Sequence, residues 1–148
     1  IGLYGVSMGA ATALMTAGED LPGQVHWVVA DCAYTSAWDE FRHELKQGFH
    51  VPVFPFLYIA DFFCRRRAKY GFREASALAQ VKKCRLPALF IHGEADDFVP
   101  YWMMDALYMG APGEKERLSV PGAAHALSSQ QAPDLYWQTV ESFVRRHA

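Results

Sequence analysis

The chain has 148 residues, of which 51% are hydrophobic and 14% aromatic, and its formal net charge is −2. This length and apolar content predict a single domain, residues 1–148, that buries a substantial hydrophobic core. A weakly acidic chain lacks the basic face that binds a phosphate backbone, so we expect no nucleic acid partner.

The amino-terminal part of the chain alternates between strand and helix patterns. Residues 1–6 are a short apolar run that predicts a strand, and Met8 to Ala17 predicts a helix that ends before Gly18. The apolar run 24–30 predicts a second strand that is buried on both faces. A strand, a helix and a strand in this order imply a crossover connection in a parallel sheet.

Helical patterns replace this alternation over residues 36–80. Ser36 followed by Asp39 is typical of a helix N-cap. The apolar segment 53–63 predicts a second helix with Pro55 in its first turn, and Gly71 is expected to stop it. We interpret residues 36–80 as a helical cap inserted between two strands. Two helices that pack into the core are the alternative.

The alternation resumes after residue 86. Strands are predicted over residues 88–92 and 115–120, and helices over residues 100–110 and 133–146. The whole pattern therefore predicts an α/β fold with a mostly parallel sheet flanked by helices.

Three short motifs contain the side chains of nucleophilic catalysis. Gly5-Val6-Ser7-Met8-Gly9 matches the nucleophile elbow Gly-x-Ser-x-Gly, whose glycines let the backbone pass closely at a strained turn. A serine is a poor nucleophile unless a histidine accepts its proton and a carboxylate orients that histidine. Asp96 and His125 each follow a later predicted strand. Because the carboxyl ends of parallel strands share one edge of a sheet, we expect these side chains to meet Ser7 there.

These motifs resemble those of the alpha/beta-hydrolase superfamily. The segment 92–100 reads His-Gly-x-x-Asp-x-x-Val-Pro and is similar to its acid loop, and the segment 122–125 is similar to its histidine loop. The elbow resembles that of esterases, monoglyceride lipases and serine aminopeptidases. The resemblance implies that Ser7 is the nucleophile, His125 the general base and Asp96 the acid.

The resemblance implies a serine hydrolase, of the carboxylesterase or lipase type, that cleaves a carboxylic ester through an acyl-enzyme intermediate without a cofactor or metal. The backbone N–H of Met8 would be one oxyanion donor. We expect a small-molecule substrate with an apolar acyl group, because ligand pockets are lined mostly by apolar side chains. The expected lining residues are Phe54, Phe56, Tyr58 and Phe62. A thioesterase or a serine peptidase would use the same triad and remains an alternative.

Other acidic and histidine residues compete for these roles. Asp97 misses the spacing of the acid-loop motif, and Asp31 ends a strand, where we expect it to cap or bond the turn with Tyr34 and Thr35. We expect His92 to bond backbone groups of its loop. The remaining histidines lack metal-like spacing and are interpreted as structural or solvated: His26, His43, His50 and His147.

A non-catalytic, membrane-associated protein with this fold is the second hypothesis. The segment 53–63 is followed by three arginines, residues 65–67, and an aromatic stretch beside basic residues also suits an amphipathic anchor in a lipid interface. No stretch reaches the roughly 20 apolar residues that a membrane helix needs. Three widely spaced cysteines favour free thiols in a reducing compartment, so we expect a cytoplasmic location.

Complete members of the superfamily have further strands before the elbow. We therefore expect the chain to correspond to the carboxyl-terminal half of a hydrolase, with the loop that supplies the second oxyanion donor before Ile1. The first strand would then be a bare apolar edge of the sheet. The isolated chain is accordingly expected to have little or no turnover.

Overall fold

The computed structural model describes residues 1–148 and contains four strands and seven helices. The strands are β1 (Gly2–Val6), β2 (Trp27–Asp31), β3 (Ala88–Gly93) and β4 (Lys115–Val120). The helices are α1 (Met8–Ala17), α2 (Ala37–Gln47), α3 (Val53–Ala68), α4 (Ala77–Val81), α5 (Trp102–Gly110), α6 (Ser128–Gln131) and α7 (Pro133–His147). Every predicted strand and helix is present, and the short helices α4 and α6 are additional.

The four strands form one parallel sheet in the order β1-β2-β3-β4. Each crossover connection therefore leads to the adjacent strand, and the strands follow one another across the sheet in chain order. The register places Val6 opposite Asp31, and Asp31 opposite Ile91, so the carboxyl ends of the strands lie along one edge. β1 pairs with β2 alone, which leaves its other edge without a strand beside it. This arrangement confirms the predicted α/β class.

Each face of the sheet has its own hydrophobic core, because successive side chains of a strand point to opposite faces. Val28, Ala30 and Phe90 pack with residues of α1, α4 and α5 in a cluster of 16 buried residues. Val29 and Leu89 pack with residues of α7 in a cluster of nine. Continuous apolar runs such as those of β2 and β3 are what a strand covered on both faces requires.

The helices of segment 36–80 divide into two groups. α2 and α3 contact each other and contribute no residue to either core cluster. α4 packs against α1, and its residues Ala77 and Val81 belong to the larger cluster. The part of the predicted insertion that lies outside the two cores is therefore α2 with α3, whose role as a cap stays a prediction.

Local signals account for the ends of α2 and α3. The Ser36 hydroxyl accepts a hydrogen bond from the amide of Asp39 at 3.0 Å, which confirms the predicted N-cap. Phe54 has φ −94° and ψ 133°, so the regular part of α3 begins at Pro55. α3 ends earlier than predicted because Lys69, rather than Gly71, takes the left-handed conformation, with φ 67°.

None of the helices combines the length and the apolar character that crossing a lipid bilayer requires. The three cysteines are all unpaired thiols, and Cys32 and Cys84 are buried.

Candidate active site

Ser7 occupies the turn between β1 and α1. Its backbone has φ 55° and ψ −118°, an unfavourable conformation for a residue that carries a side chain. The Ser7 amide donates a hydrogen bond to the carbonyl of Asp31 at 2.8 Å, which extends the pairing of β1 with β2 up to the turn. A sharp strand-to-helix turn with strain at the serine is the geometry that the Gly-x-Ser-x-Gly motif predicts.

The two glycines of the motif differ in what surrounds them. A Cβ atom on Gly5 would lie 2.2 Å from the carbonyl oxygen of Gly9, so β1 and the first turn of α1 approach too closely for a side chain there. A Cβ atom on Gly9 would meet no atom within 4 Å beyond its chain neighbours and the backbone of its own helix. The motif predicts that the backbone passes closely at both glycines. This prediction is confirmed at Gly5 and is wrong at Gly9.

Ser7, His125 and Asp96 form a continuous hydrogen-bonded chain. His125 Nε2 lies 2.8 Å from Ser7 Oγ, and His125 Nδ1 lies 2.8 Å from Asp96 Oδ2. A carboxylate only accepts hydrogen bonds, so Nδ1 carries the imidazole proton and Nε2 accepts from the serine hydroxyl. The fold thus brings together three side chains that follow β1, β3 and β4.

Asp96 is buried and receives several hydrogen bonds besides that of His125. Its Oδ1 accepts from the amides of Phe98 and Val99 at 3.1 and 2.8 Å, and His92 Nε2 lies 3.3 Å from Oδ2. Burial by itself would raise the pKa of Asp96. The hydrogen bonds from His125, His92 and the Val99 amide outweigh burial and hold that pKa at about 2. Asp96 is therefore a stable anion at neutral pH.

The imidazole of His125 lies between this buried anion and the surface. Its hydrogen bond to Asp96 raises the pKa of His125 above the ordinary value, while burial acts in the opposite direction. The Phe98 ring packs beside the imidazole, with 4.8 Å between ring centroids. The His125 side chain is 23% exposed and that of Asp96 is 0% exposed, so a ligand from solvent reaches the base but not the acid.

Asp31 makes different contacts from those expected. Its Oδ2 accepts a hydrogen bond from the Tyr136 hydroxyl at 2.9 Å, and that hydroxyl lies 2.7 Å from the hydroxyl of Tyr4. Asp31 Oδ1 has no partner, so the expected bond to the turn at Tyr34 and Thr35 is wrong. The end of β2 faces α7, and Tyr136 on that helix donates the hydrogen bond. The sequence pattern places Tyr136 on the apolar face of α7 and so predicted only that it packs in the core.

Asp97 and His92 have structural contacts around the acid loop. Asp97 is exposed, and its carbonyl accepts a hydrogen bond from His43 Nε2 at 2.9 Å, which ties α2 to this loop. His92 is fully buried, and its Nε2 lies 2.8 Å from the carbonyl of Val99. This confirms that His92 bonds backbone groups of its loop.

Glu40 is a buried carboxyl group near the site. It lies on α2, is 5% exposed, and neither of its carboxyl oxygens has a hydrogen-bond partner. Burial, followed by the neighbouring charge of Glu44, raises the pKa of Glu40 to about 7. The charges of His125 and Asp96 also act on it, so Glu40 lies within electrostatic range of both. A glutamate on an amphipathic helix is normally solvated, so no sequence signal marked this residue.

Met8 begins α1 beside a large cavity. Its amide, at the helix N-terminus, has no acceptor within the helix, which leaves it available to an oxyanion. The cavity has a volume of about 590 Å³ and is lined by α1, by α2 and by the segment 70–80. Phe41 and Phe72 line this cavity and also an apolar groove of about 350 Å³ between α2 and α3.

The four aromatic residues predicted to line the substrate pocket lie on separate surfaces. Phe54 and Tyr58 line a cavity that is formed by residues of α2, α3 and Arg73, and Phe56 lines the apolar groove. Phe62 is 56% exposed. None of the four lines the cavity that contains Met8, and their contact with substrate stays a prediction.

Two groups of side chains have the spacing of a metal site. Cys32 lies close to Asp96 and His125, with potential ligand atoms within 4.8 Å of one another. Burial raises the pKa of the Cys32 thiol to about 12. The second group lies at the surface and consists of Glu114, Glu116 and His147.

The arginine run at the end of α3 is partly paired within the protein. Arg65 Nε bonds Asp61 Oδ2 at 2.9 Å, and Arg65 Nη1 bonds Glu74. The guanidinium of Arg66 lies 6.0 Å from the centre of the Phe62 ring. Arg65, the first arginine of the proposed lipid anchor, is therefore paired with two acidic side chains of this chain.

No protein-family model matches the chain. The chain is 35% identical over 144 residues to the uncharacterized protein YqkD of Bacillus subtilis, strain 168, in a match that covers 97% of this chain and 47% of YqkD. The chain thus spans about half the length of this relative.

Several solved structures share the fold. An esterase of Pyrococcus furiosus matches 99% of this chain and 54% of its own, with a TM-score of 0.72 and 22% identity. An acylaminoacyl peptidase of Pyrococcus horikoshii matches 98% of this chain and 24% of its own, with a TM-score of 0.71 and 16% identity. An alpha/beta fold family hydrolase of Bacillus anthracis matches 96% of this chain and 66% of its own, with a TM-score of 0.68 and 13% identity. With its parallel sheet between two helical layers, the chain has the fold of the alpha/beta-hydrolase superfamily.

Proposed function

We propose that this chain carries the catalytic triad of a serine hydrolase that cleaves carboxylic esters through an acyl-enzyme intermediate. The proposal depends on one observation above all, the hydrogen-bonded chain from Ser7 through His125 to Asp96, with 2.8 Å at each step. The esterase among the similar structures supports an ester as the substrate.

Acylation begins with attack of Ser7 Oγ on the acyl carbonyl carbon. The hydroxyl proton passes to His125 Nε2, and the ionised Asp96 stabilises the resulting imidazolium. The carbonyl oxygen becomes an oxyanion, to which the Met8 amide donates a hydrogen bond. A lost oxyanion donor typically lowers the rate by about 10²- to 10³-fold. The tetrahedral intermediate then collapses, the ester C–O bond breaks, and the imidazolium protonates the departing alkoxide.

Deacylation repeats these steps with water as the nucleophile. His125 Nε2 takes a proton from water as the water oxygen attacks the acyl carbon. The bond between that carbon and Ser7 Oγ breaks, and the imidazolium returns its proton to Oγ. The carboxylic acid leaves, and the three side chains regain their starting protonation states.

A thioesterase or a serine peptidase would use the same three side chains. An acylaminoacyl peptidase is among the similar structures, so the peptide alternative has a specific observation in its favour. Matched ester, thioester and amide substrates with one common acyl group, tested on the full-length protein, separate these activities. We expect the ester to have the highest kcat/KM.

Labelling with a fluorophosphonate tests the nucleophile directly. The full-length wild-type protein is expected to form a covalent adduct, and the Ser7→Ala variant is expected to form none. Ser142→Ala, which removes a hydroxyl from α7, is the matched control and should be labelled like the wild type. Undiminished labelling of Ser7→Ala would exclude Ser7 as the nucleophile.

A further inference from the structure

Phe41 and Phe72 stand between the cavity beside Met8 and the apolar groove between α2 and α3. Both residues line both spaces, so the two are neighbours across this pair. The rings pack edge to face, with 4.8 Å between centroids and an interplanar angle of 68°. The pair therefore forms a partition between the two spaces.

The two spaces differ in chemistry. Seven of the eight residues that line the groove are hydrophobic, and Glu44 is the exception. Phe49 and Phe56 are 70% and 54% exposed, so large apolar side chains face solvent along the groove. The cavity beside Met8 has a more mixed lining, with polar residues such as Thr12 and Gln80. Contiguous exposed apolar surface of this kind marks a ligand groove or an interface.

We propose that the groove binds the distal part of a long, straight acyl chain, and that the Phe41 and Phe72 pair sets the chain length at which a substrate enters it. This inference rests on the proposed ester hydrolysis. With the acyl carbonyl at Ser7 and the Met8 amide, a short acyl group ends in the cavity. A longer chain passes the aromatic pair and buries its end against Leu45 and Leu57.

The occupant is an acyl chain because the groove adjoins the cavity that Met8, the residue after Ser7, helps to line. A flexible apolar chain fits a groove whose lining is hydrophobic apart from Glu44. Each methylene group that leaves water for the groove is expected to raise kcat/KM by up to about 4-fold. The rise should begin at the chain length that reaches the partition.

Filling the groove from α3 tests this without removing any core atom. Ala60 is exposed and lines the groove, so Ala60→Trp obstructs it, and Ala68→Trp on the same helix, outside the groove, is the matched control. The probes are para-nitrophenyl esters from acetate to hexadecanoate, assayed with the full-length proteins. We expect Ala60→Trp to lower kcat/KM for the dodecanoate ester by about 10-fold or more while acetate hydrolysis stays unchanged.

The control variant should match the wild type on every ester. An equal effect of Ala60→Trp on short and long esters, or no effect on either, would overturn the proposal. Phe72→Ala removes half of the partition and is expected to raise the ratio of long-chain to short-chain kcat/KM by several-fold. Its thermal unfolding and acetate hydrolysis show whether the variant is folded.

A binding measurement separates failure of this proposal from failure of the proposed function. A fluorescent long-chain fatty acid, titrated into the Ser7→Ala variant, reports occupancy of the groove without hydrolysis. If adding Ala60→Trp weakens this binding, the groove binds the acyl chain, even if no variant cleaves any ester. Ester hydrolysis by the wild type together with binding that Ala60→Trp does not change supports the triad and rejects the groove.

Discussion

Both ring nitrogens of His125 are engaged, one with an anion and the other with a hydroxyl. Asp96 holds the Nδ1 proton, which keeps Nε2 directed at Ser7 Oγ at 2.8 Å. In the proposed mechanism, the imidazole must be neutral to accept the serine proton. Because the bond to Asp96 raises the pKa of His125, activity should fall on the acid side at a higher pH than for an ordinary histidine.

Asp96→Asn tests this coupling. The amide removes the anion and also favours the wrong tautomer of His125, so kcat is expected to fall by on the order of 10⁴-fold. The pKa of His125 should fall as well, which moves the acid limb of kcat/KM to lower pH. Asp97→Asn, at the adjacent exposed carboxylate, is the control and should change neither quantity. The measurement is a pH profile of kcat/KM on the full-length protein.

Glu40 affects stability in a pH-dependent way. Its pKa in the folded protein is about 7 against an ordinary 4.5, mainly because burial disfavours the charged form. Because this pKa is raised, the protonated carboxyl group of Glu40 contributes fully to stability below pH 4.5. That contribution is lost as the pH rises through about 7. Ionised Glu40 therefore destabilises the fold at alkaline pH.

Glu40→Gln keeps the shape of the side chain and removes its ionisation. We expect Glu40→Gln to raise the free energy of unfolding relative to the wild type. This gain should be about 2 to 3 kcal/mol larger at about pH 8 than at about pH 5. Denaturant unfolding at the two pH values measures this difference. Glu94→Gln, at an exposed glutamate, should show no such change, and a pH-independent effect of Glu40→Gln would reject the prediction.

At the scale of elements, the close approach of β1 to α1 positions the serine. Gly5 lets the strand and the helix meet, and Ser7 takes the strained turn between them. The amide of Met8 and the hydroxyl of Ser7 are consequently presented side by side at the carboxyl edge of the sheet. α2 contacts the same region from outside, through the hydrogen bond between His43 and the carbonyl of Asp97.

Gly5→Ala should disrupt this contact. The added methyl group would lie 2.2 Å from the carbonyl oxygen of Gly9, so β1 and α1 must separate. We expect a loss of about 1 to 3 kcal/mol or more in the free energy of unfolding. Gly9→Ala is the matched control in the same motif, and it should be neutral or stabilising by up to about 1 kcal/mol because its methyl group meets nothing. Equal stability of the two variants would contradict this account.

At the scale of the whole molecule, the sheet is covered on both faces and ends in an edge strand on each side, β1 and β4. Ile1, Tyr4 and Val6 are 76%, 45% and 37% exposed, so the edge at β1 has exposed apolar side chains. Unpaired backbone groups beside apolar side chains favour pairing with another strand. The same edge lies next to the turn that carries Ser7.

The 148-residue chain by itself is therefore expected to self-associate through β1. Sedimentation velocity over a range of concentrations should show species larger than the monomer. Val6→Lys places a charge on the edge and should reduce the association, whereas Leu135→Lys on α7 should not. A chain that stays monomeric at all concentrations would contradict self-association through β1.

Local patterns were sufficient to predict most of the fold and the meeting of three side chains at the candidate site. Apolar periodicity predicts the strands and helices because each pattern reflects which face of a short segment is buried. The order of the elbow, the acid loop and the histidine loop predicts that Ser7, Asp96 and His125 meet, because parallel strands end at one edge. Their hydrogen-bond geometry agrees with that prediction.

Only the tertiary structure decided features that depend on contacts between distant segments. Asp31 bonds Tyr136, 105 positions away, and no pattern near either residue indicates that pair. The burial of Glu40 and the shared position of Phe41 and Phe72 likewise arise from how α2 and α3 lie against the rest of the molecule. Sequence periodicity shows which face of a helix is apolar, whereas the residues that meet that face are determined by packing in three dimensions.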